Sequence, residues 1–263
     1  MASTAPQTAG LPLMYKDLVP LSSVDHAAWK IRGLDQIGFA KDEHAIPVTV
    51  DEFALAQRHY PIVFSVGDNP VPLALMGLNE GMNTFIDAEG KVTEAIYLPA
   101  YIRRYPFLLA KLRPDAEELS LCFDPTTEAL GAFEDGEPLF ADGQPTESVT
   151  RVLGFCQEFE ESGMKTGQFM AELAEHGLLM DGEVSIQPDG EAQPFIYRGF
   201  QMVDEAKLRD LRGDVLRKMM QSGMLPLIHA HLFSLQTMRE IFGRQVMQGK
   251  TVLPSAAEAP TAA

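Results

Sequence analysis

The eleven residues Tyr97-Leu-Pro-Ala-Tyr-Ile-Arg-Arg-Tyr-Pro-Phe107 gather three tyrosines, two prolines and two adjacent arginines. Arginine presents a planar, permanently charged fork that suits carboxylate or phosphate. Tyrosine adds a flat face with a polar tip. Adjacent arginines on a helix point about 100° apart, so one of the pair faces any given ligand. Arg104, with Tyr101 at i−3 and Tyr105 at i+1, is the favoured one. Tyr97, Tyr101, Arg103, Arg104 and Tyr105 form the candidate ligand-binding set. His59 joins it, since histidine is the natural acid or base near neutral pH, with Tyr60 beside it as the other acid/base candidate. Two readings stand. In one, an anion or peptide carboxylate meets the arginines, and Arg104→Ala abolishes ligand retention while thermal stability stays within a few degrees. In the other, one arginine pairs with an acid from residues 115–197 while the tyrosines and Phe107 pack. An exposed ion pair contributes only ~0–1 kcal/mol, so stability alone is a weak reason for two arginines.

Other chemistries lack their signatures. None of the six histidines begins a His-x-Asp, His-x-Glu or His-Glu-x-x-His pattern, the usual openings of metal sites. His229 and His231 would point about 200° apart on a helix and cannot share an ion. There is no Gly-x-Gly-x-x-Gly, Walker or Gly-x-Ser-x-Gly motif. Cys122 lies between Leu121 and Phe123, a setting that raises a thiol pKa. Ser234, at i+3 from His231, suits a local hydrogen bond. No catalytic residue, metal or cofactor is assigned.

At 263 residues, 46% hydrophobic and 22% charged, the composition is that of a globular protein. The chain is long enough to bury roughly 70–75% of its unfolded surface. Cys122 and Cys156 lie in apolar stretches and read as buried hydrophobes in a reducing compartment. Residues 1–10 do not read as a secretory signal, and no apolar run approaches the roughly 20 residues of a membrane span. The expected location is cytoplasmic. The net charge is −16, and residues 115–197 carry 2 basic against 19 acidic side chains. Such a face disfavours nucleic acid and anionic membranes and suits either solvation or a basic partner.

Residues 1–12 and 249–263 are expected to be tails around a single domain over 13–248. Leu18–Leu21 suggests a short strand, with Asp25 a cap for the next element. Asp51–Tyr60 reads as a helix capped by Asp51 and stopped by Pro61. Ile62–Val66 and Leu73–Leu78 pair around the turn Gly67-Asp-Asn-Pro70, and Asp87-Ala-Glu-Gly90 has hairpin chemistry. Leu119–Phe123 is a strand with Leu119, Leu121 and Phe123 on one face. One helix carries Val149–Phe159, and a second runs from Thr166 to His176 with Gly177 as its stop. Asp181-Gly and Asp189-Gly read as turns, within and after strands over 178–186 and 195–202. A helix from Asp204 to Gly223 and a last one to about Gln245 complete the order. The fold class is α+β: an antiparallel, strand-rich N-terminal half with a helical C-terminal half packed on it.

Several pieces together resemble the bacterial SapC family, named from a surface-layer-associated gene and distinct from the peptide-transporter permeases. They are Tyr15-Lys-Asp-Leu-Val-Pro-Leu, His59-Tyr-Pro-Ile-Val-Phe-Ser, the Tyr97–Phe107 block, Gly136-Glu-Pro-Leu-Phe-Ala-Asp-Gly and His229-Ala-His-Leu-Phe-Ser-Leu. The likeness runs from about Met14 to Phe242. It implies no established reaction and an association with TonB-dependent receptors or halogenase-like flavoproteins; the absent catalytic signature and the aromatic–arginine cluster favour an accessory or binding role. A rival expectation is an enzyme acting on a peptide or amino-acid derivative, with Arg104 holding a carboxylate and His59 or Tyr60 as acid/base. That rival requires a pocket joining Arg104 to a titratable group.

Overall fold

The structure, a computed structural model, describes residues 11–34, 36–113, 115, 118–187 and 194–250. The tail expectations for 1–10 and 251–263, and the Asp189-Gly turn, lie outside the described residues.

The first half is built of short strands. β1 (Val19–Pro20) and β2 (Lys30–Ile31) precede β3 (Ala45–Pro47). A 3₁₀ turn, Val50–Glu52, runs into α1 (Phe53–Ala56). β4 (Ile62–Phe64) and β5 (Pro72–Leu75) come next, then α2 (Ala100–Arg103), β6 (Phe107–Ala110) and β7 (Ser120–Phe123). The acidic stretch forms β8 (Leu130–Gly131), β9 (Glu137–Pro138), β10 (Phe140–Ala141) and β11 (Gln144–Pro145). The second half holds α3 (Glu147–Glu175), β12 (Leu179–Ile186), β13 (Phe195–Val203), α4 (Glu205–Arg209), α5 (Gly213–Ser222), α6 (Met224–Ser234) and α7 (Met238–Met247). The class is α+β, with every pairing antiparallel.

The largest sheet has the order β12-β13-β4-β5-β3, so the long C-terminal hairpin extends the N-terminal meander. Ile62, Val63 and Phe64 are all buried, as a central strand covered on both faces requires. β13 meets β4 in register at one pair, Gln201 with Phe64. His231 of α6 strengthens this joint: Val203 N–H donates to its Nε2 at 3.1 Å, and its Nδ1 bonds Ile62 O at 2.7 Å. Because Nε2 must accept, Nδ1 carries the proton and the ring is neutral. Burial pushes its pKa down to about 4. Ser234 Oγ accepts from Ile62 N–H at 2.8 Å and donates to His231 O at 2.6 Å. That is the expected local hydrogen bond, and it holds helix to strand.

Apolar side chains gather in two clusters. The larger joins the main sheet to α1, α6, α7 and the C-terminal end of α3 through Phe53, Phe64, Phe169, Leu173, Ile228 and Ile241. The smaller holds Phe107, Phe123, Leu130, Leu139, Val149 and Cys156, flanked by Trp29. The sheets β1-β7-β6 and β8-β2-β9 form around it. α3, about 43 Å long at 1.5 Å per residue, touches both clusters.

Several local expectations are corrected. The two helices expected over 149–176 are one, because Thr166 caps a different element: its Oγ1 accepts from Val50 N–H at 3.0 Å and donates to Ser162 O at 2.7 Å. Asp51 caps nothing and faces Lys165 Nζ at 2.8 Å; Thr49 N–H and Oγ1 instead donate to the Glu52 carboxylate at 2.8 and 3.0 Å. Near Asp25 the capping side chain is Ser22, whose Oγ accepts from Val24 and Asp25 N–H in a turn. Asp204 does cap its helix, accepting from Ala206 and Lys207 N–H, but the helix ends at Arg209 and a new one starts at Gly213. Asp181-Gly182 is inside β12, where a Cβ on residue 182 would stand 2.1 Å from the Phe200 ring. Glycine is there for close packing rather than for a turn. Leu119 precedes β7 and is exposed, while Phe123 is fully buried.

Candidate functional site

The Tyr97–Phe107 block crosses the seam between the two clusters. Tyr101 and Ile102 belong to the larger and Phe107 to the smaller. Glu52 anchors it. This buried carboxylate, 5% exposed, accepts from Ala100 N–H at 2.6 Å and Tyr97 O–H at 3.0 Å through Oε1. Its Oε2 takes the two bonds from Thr49. Four donors occupy the carboxylate, as a buried charge demands. Pro99 occupies the N-cap of α2. The Tyr105–Pro106 peptide bond beyond the helix is cis.

The two arginines part company at the end of α2. Arg104 is 8% exposed. Its guanidinium carbon lies 4.3 Å from the ring centroids of both Tyr101 and Phe159. Nη1 stands 3.8 Å from Glu160 Oε1, and Nε is buried without a hydrogen-bond partner. Burying an isolated ion costs several kcal/mol. Desolvated cation–π contacts return about 2 kcal/mol each, so the two ring faces offset part of the cost of holding the Arg104 side chain inside. The Tyr15 ring lies 5.9 Å away, and its hydroxyl donates to Phe107 O at 2.8 Å. Burial raises the Tyr15 pKa, with Arg104 opposing. Burial also pushes the Cys156 thiol up to about 11, Arg104 again opposing and Glu160 adding. Cys122, raised to about 11 by burial, is likewise a buried free thiol.

Arg103 is exposed. Its Nε donates to Leu98 O at 3.0 Å and Nη2 to Tyr97 Oη at 3.1 Å. Its guanidinium stands over the rings of Phe155 at 5.1 Å and Tyr97 at 5.5 Å. Tyr97 thus links Arg103 to Glu52; burial raises its pKa, and the Glu52 charge adds to the effect.

Both arginines line a cleft of about 400 Å³, together with Arg32 of the segment after β2 and Arg151 of α3. The walls include Ile37, Leu98, Ile102, Val152 and Phe155. Tyr105 lines it too, stacked on Phe39 at 4.0 Å. Among the described residues no carboxylate lines the cleft. The acidic stretch surrounds it instead: Asp135 pairs with Arg32, Glu137 with Arg151 at 3.1 Å, and Glu147 with Arg151 at 3.8 Å.

Of the residues singled out from the sequence, Arg103, Arg104 and Tyr105 line the cleft, while Tyr97 and Tyr101 brace the two arginines from outside it. His59 lies elsewhere, half-buried beside Tyr60, whose hydroxyl donates to Tyr97 O at 2.8 Å. Sequence reasoning missed Arg32, Arg151, Phe155 and Glu52. For Arg151 and Phe155 a signal existed: at i and i+4 they share a face of α3. Among the described residues no group of three or more histidine, cysteine, aspartate or glutamate side chains is placed to hold a metal ion. No helix of the described residues is long and apolar enough to cross a membrane.

No curated protein matches the chain, and no solved structure matches it. The family profile described as SapC matches residues 21–241, most of the chain and all of the cleft. The chain belongs to the SapC family.

Proposed function

We propose that this protein is a binding or accessory protein that recognises an anionic ligand through the Tyr97–Phe107 cleft. One observation carries the reading. In a chain of net charge −16, the cleft gathers four arginines against apolar walls with no carboxylate among its described lining residues. Fixed positive charge beside low-dielectric walls concentrates anions, and a mostly apolar pocket with a few polar groups is the ordinary form of a small-molecule site. The enzymatic alternative draws less support. Its proposed acid/base groups, His59 and Tyr60, are outside the cleft lining, and the Tyr60 hydroxyl is committed to Tyr97 O.

A cytoplasmic location is part of the proposal, supported by two buried free thiols. The link to TonB-dependent receptors or halogenase-like systems rests on the family resemblance alone. Native mass spectrometry of the protein, gently purified from its own cells, tests the reading. A reproducible small adduct supports ligand binding, and a co-purifying protein supports the accessory role. Bare protein across growth conditions contradicts both.

A further inference from the structure

The four arginines of the cleft are not equivalent. Arg32 faces Asp135, Arg151 faces Glu137 and Glu147, and Arg104 faces Glu160. Arg103 forms no ion pair among the described residues; its polar partners there are the Leu98 carbonyl and the Tyr97 hydroxyl, both neutral. Among the described residues, one positive charge at the cleft is therefore uncompensated. Beside it are the Phe155 ring, 5.1 Å from the guanidinium, and the side chains of Leu98 and Ile102. A volume of about 400 Å³ is at the lower end of small-molecule sites, which run from roughly 300 to 1,000 Å³. A single free guanidinium balances one negative charge. A dianionic phosphate would leave a second charge to be met by arginines already paired, at the cost of breaking those pairs.

We infer that the cleft binds a small monocarboxylate with an apolar body, its carboxylate on Arg103 and its body along Phe155, Leu98 and Ile102. This rests on the proposed binding role and names its ligand class. Arg103 offers a bidentate fork to the carboxylate, and Tyr97, held by Glu52, keeps that fork in place. Arg104 has a different part. Under Tyr101 and Phe159 it fixes the floor of the cleft and does not itself take the ligand.

Isothermal titration calorimetry with octanoate, octanamide and octyl phosphate tests this on the full chain. Octanoate is expected to bind, and octanamide roughly tenfold or more weaker, because the charge-assisted contact is gone. Arg103→Ala is expected to reduce octanoate affinity by about the same factor, while Arg151→Ala changes it by less than about threefold. Octyl phosphate binding more tightly than octanoate would overturn the monoanion assignment. Equal losses in Arg103→Ala and Arg151→Ala would overturn the special place of Arg103. A peptide ending in a free leucine carboxylate that binds where octanoate does not would overturn the small-acid class. Absence of octanoate binding in a protein that still carries a native small adduct overturns this inference and leaves the binding role intact.

Discussion

Glu160 Oε1 stands 3.8 Å from Arg104 Nη1, one residue beyond the Phe159 whose ring lies over the same guanidinium. A single turn of α3 thus supplies both a charge partner and an apolar cover for the arginine at the C-cap of α2. Removing the side chain opens a void between Tyr101 and Phe159, and substitution by lysine loses the planar stacking that a guanidinium provides. Arg104→Ala is expected to destabilise by about 2–4 kcal/mol, with Arg104→Lys a weak rescue. Urea unfolding checks this. A loss below about 0.5 kcal/mol would return Arg104 to the ligand-contacting role expected from the sequence.

The four bonds to Glu52 make it the keystone of the segment. In Glu52→Gln one oxygen becomes an amide group facing donors, so two of the four hydrogen bonds are lost and N–H opposes N–H or O–H. The expected cost is about 2–4 kcal/mol, measured by chemical denaturation. Hydrogen exchange at either Ala100 or Thr49 is expected to accelerate, because one of these two N–H groups loses its carboxylate oxygen.

His231 gives the fold a pH dependence of known sign. Its pKa falls from the ordinary value of 6.5 to about 4 through burial. Above about pH 6.5 the ring is neutral in both folded and unfolded chains, and its contribution is fully present. As pH falls the unfolded chain takes up the proton first, so stability is lost progressively down to about pH 4. The loss is on the order of 3 kcal/mol. Other groups titrate in the same range, so the comparison is with His231→Gln. Urea midpoints of the two proteins are expected to converge between about pH 7.5 and pH 4.5; parallel midpoints would contradict a neutral buried ring.

Gly182 and Phe200 form a tight pair within the β12–β13 hairpin, with no room for a Cβ. Gly182→Ala is expected to cost about 1–3 kcal/mol through overpacking. Trimming the ring in Phe200→Leu is expected to recover part of this. A double-mutant cycle measures the coupling, which should exceed the roughly 0.5 kcal/mol limit of independent sites.

Much of this architecture is legible along the chain where local chemistry decides. The all-apolar run Ile62–Phe64 marks a strand buried on both faces. Gly223, with a φ of 82°, closes α5 as a left-handed stop. The density of the Tyr97–Phe107 block marks the seam itself. Legibility fails where a side chain serves a distant partner. Thr166 has the look of a helix cap but satisfies Val50, 116 residues away. The cleft shows the same limit: Arg32, Arg103 and Arg151, far apart in sequence, line one cleft only because the fold brings their segments together. The 100° offset correctly separates Arg103 from Arg104, yet no local rule says which turns under Phe159. That choice is made by α3, whose position depends on both apolar clusters.

The most direct test of the central claim sets Arg103→Ala beside Arg104→Ala, each purified from its own cells and examined by native mass spectrometry and thermal melting. Arg103→Ala is expected to lose the small adduct and keep its melting temperature within about 2 °C. Arg104→Ala is expected to melt at least about 4 °C lower. An adduct retained in Arg103→Ala, or an Arg104→Ala protein that melts like wild type, would contradict that claim.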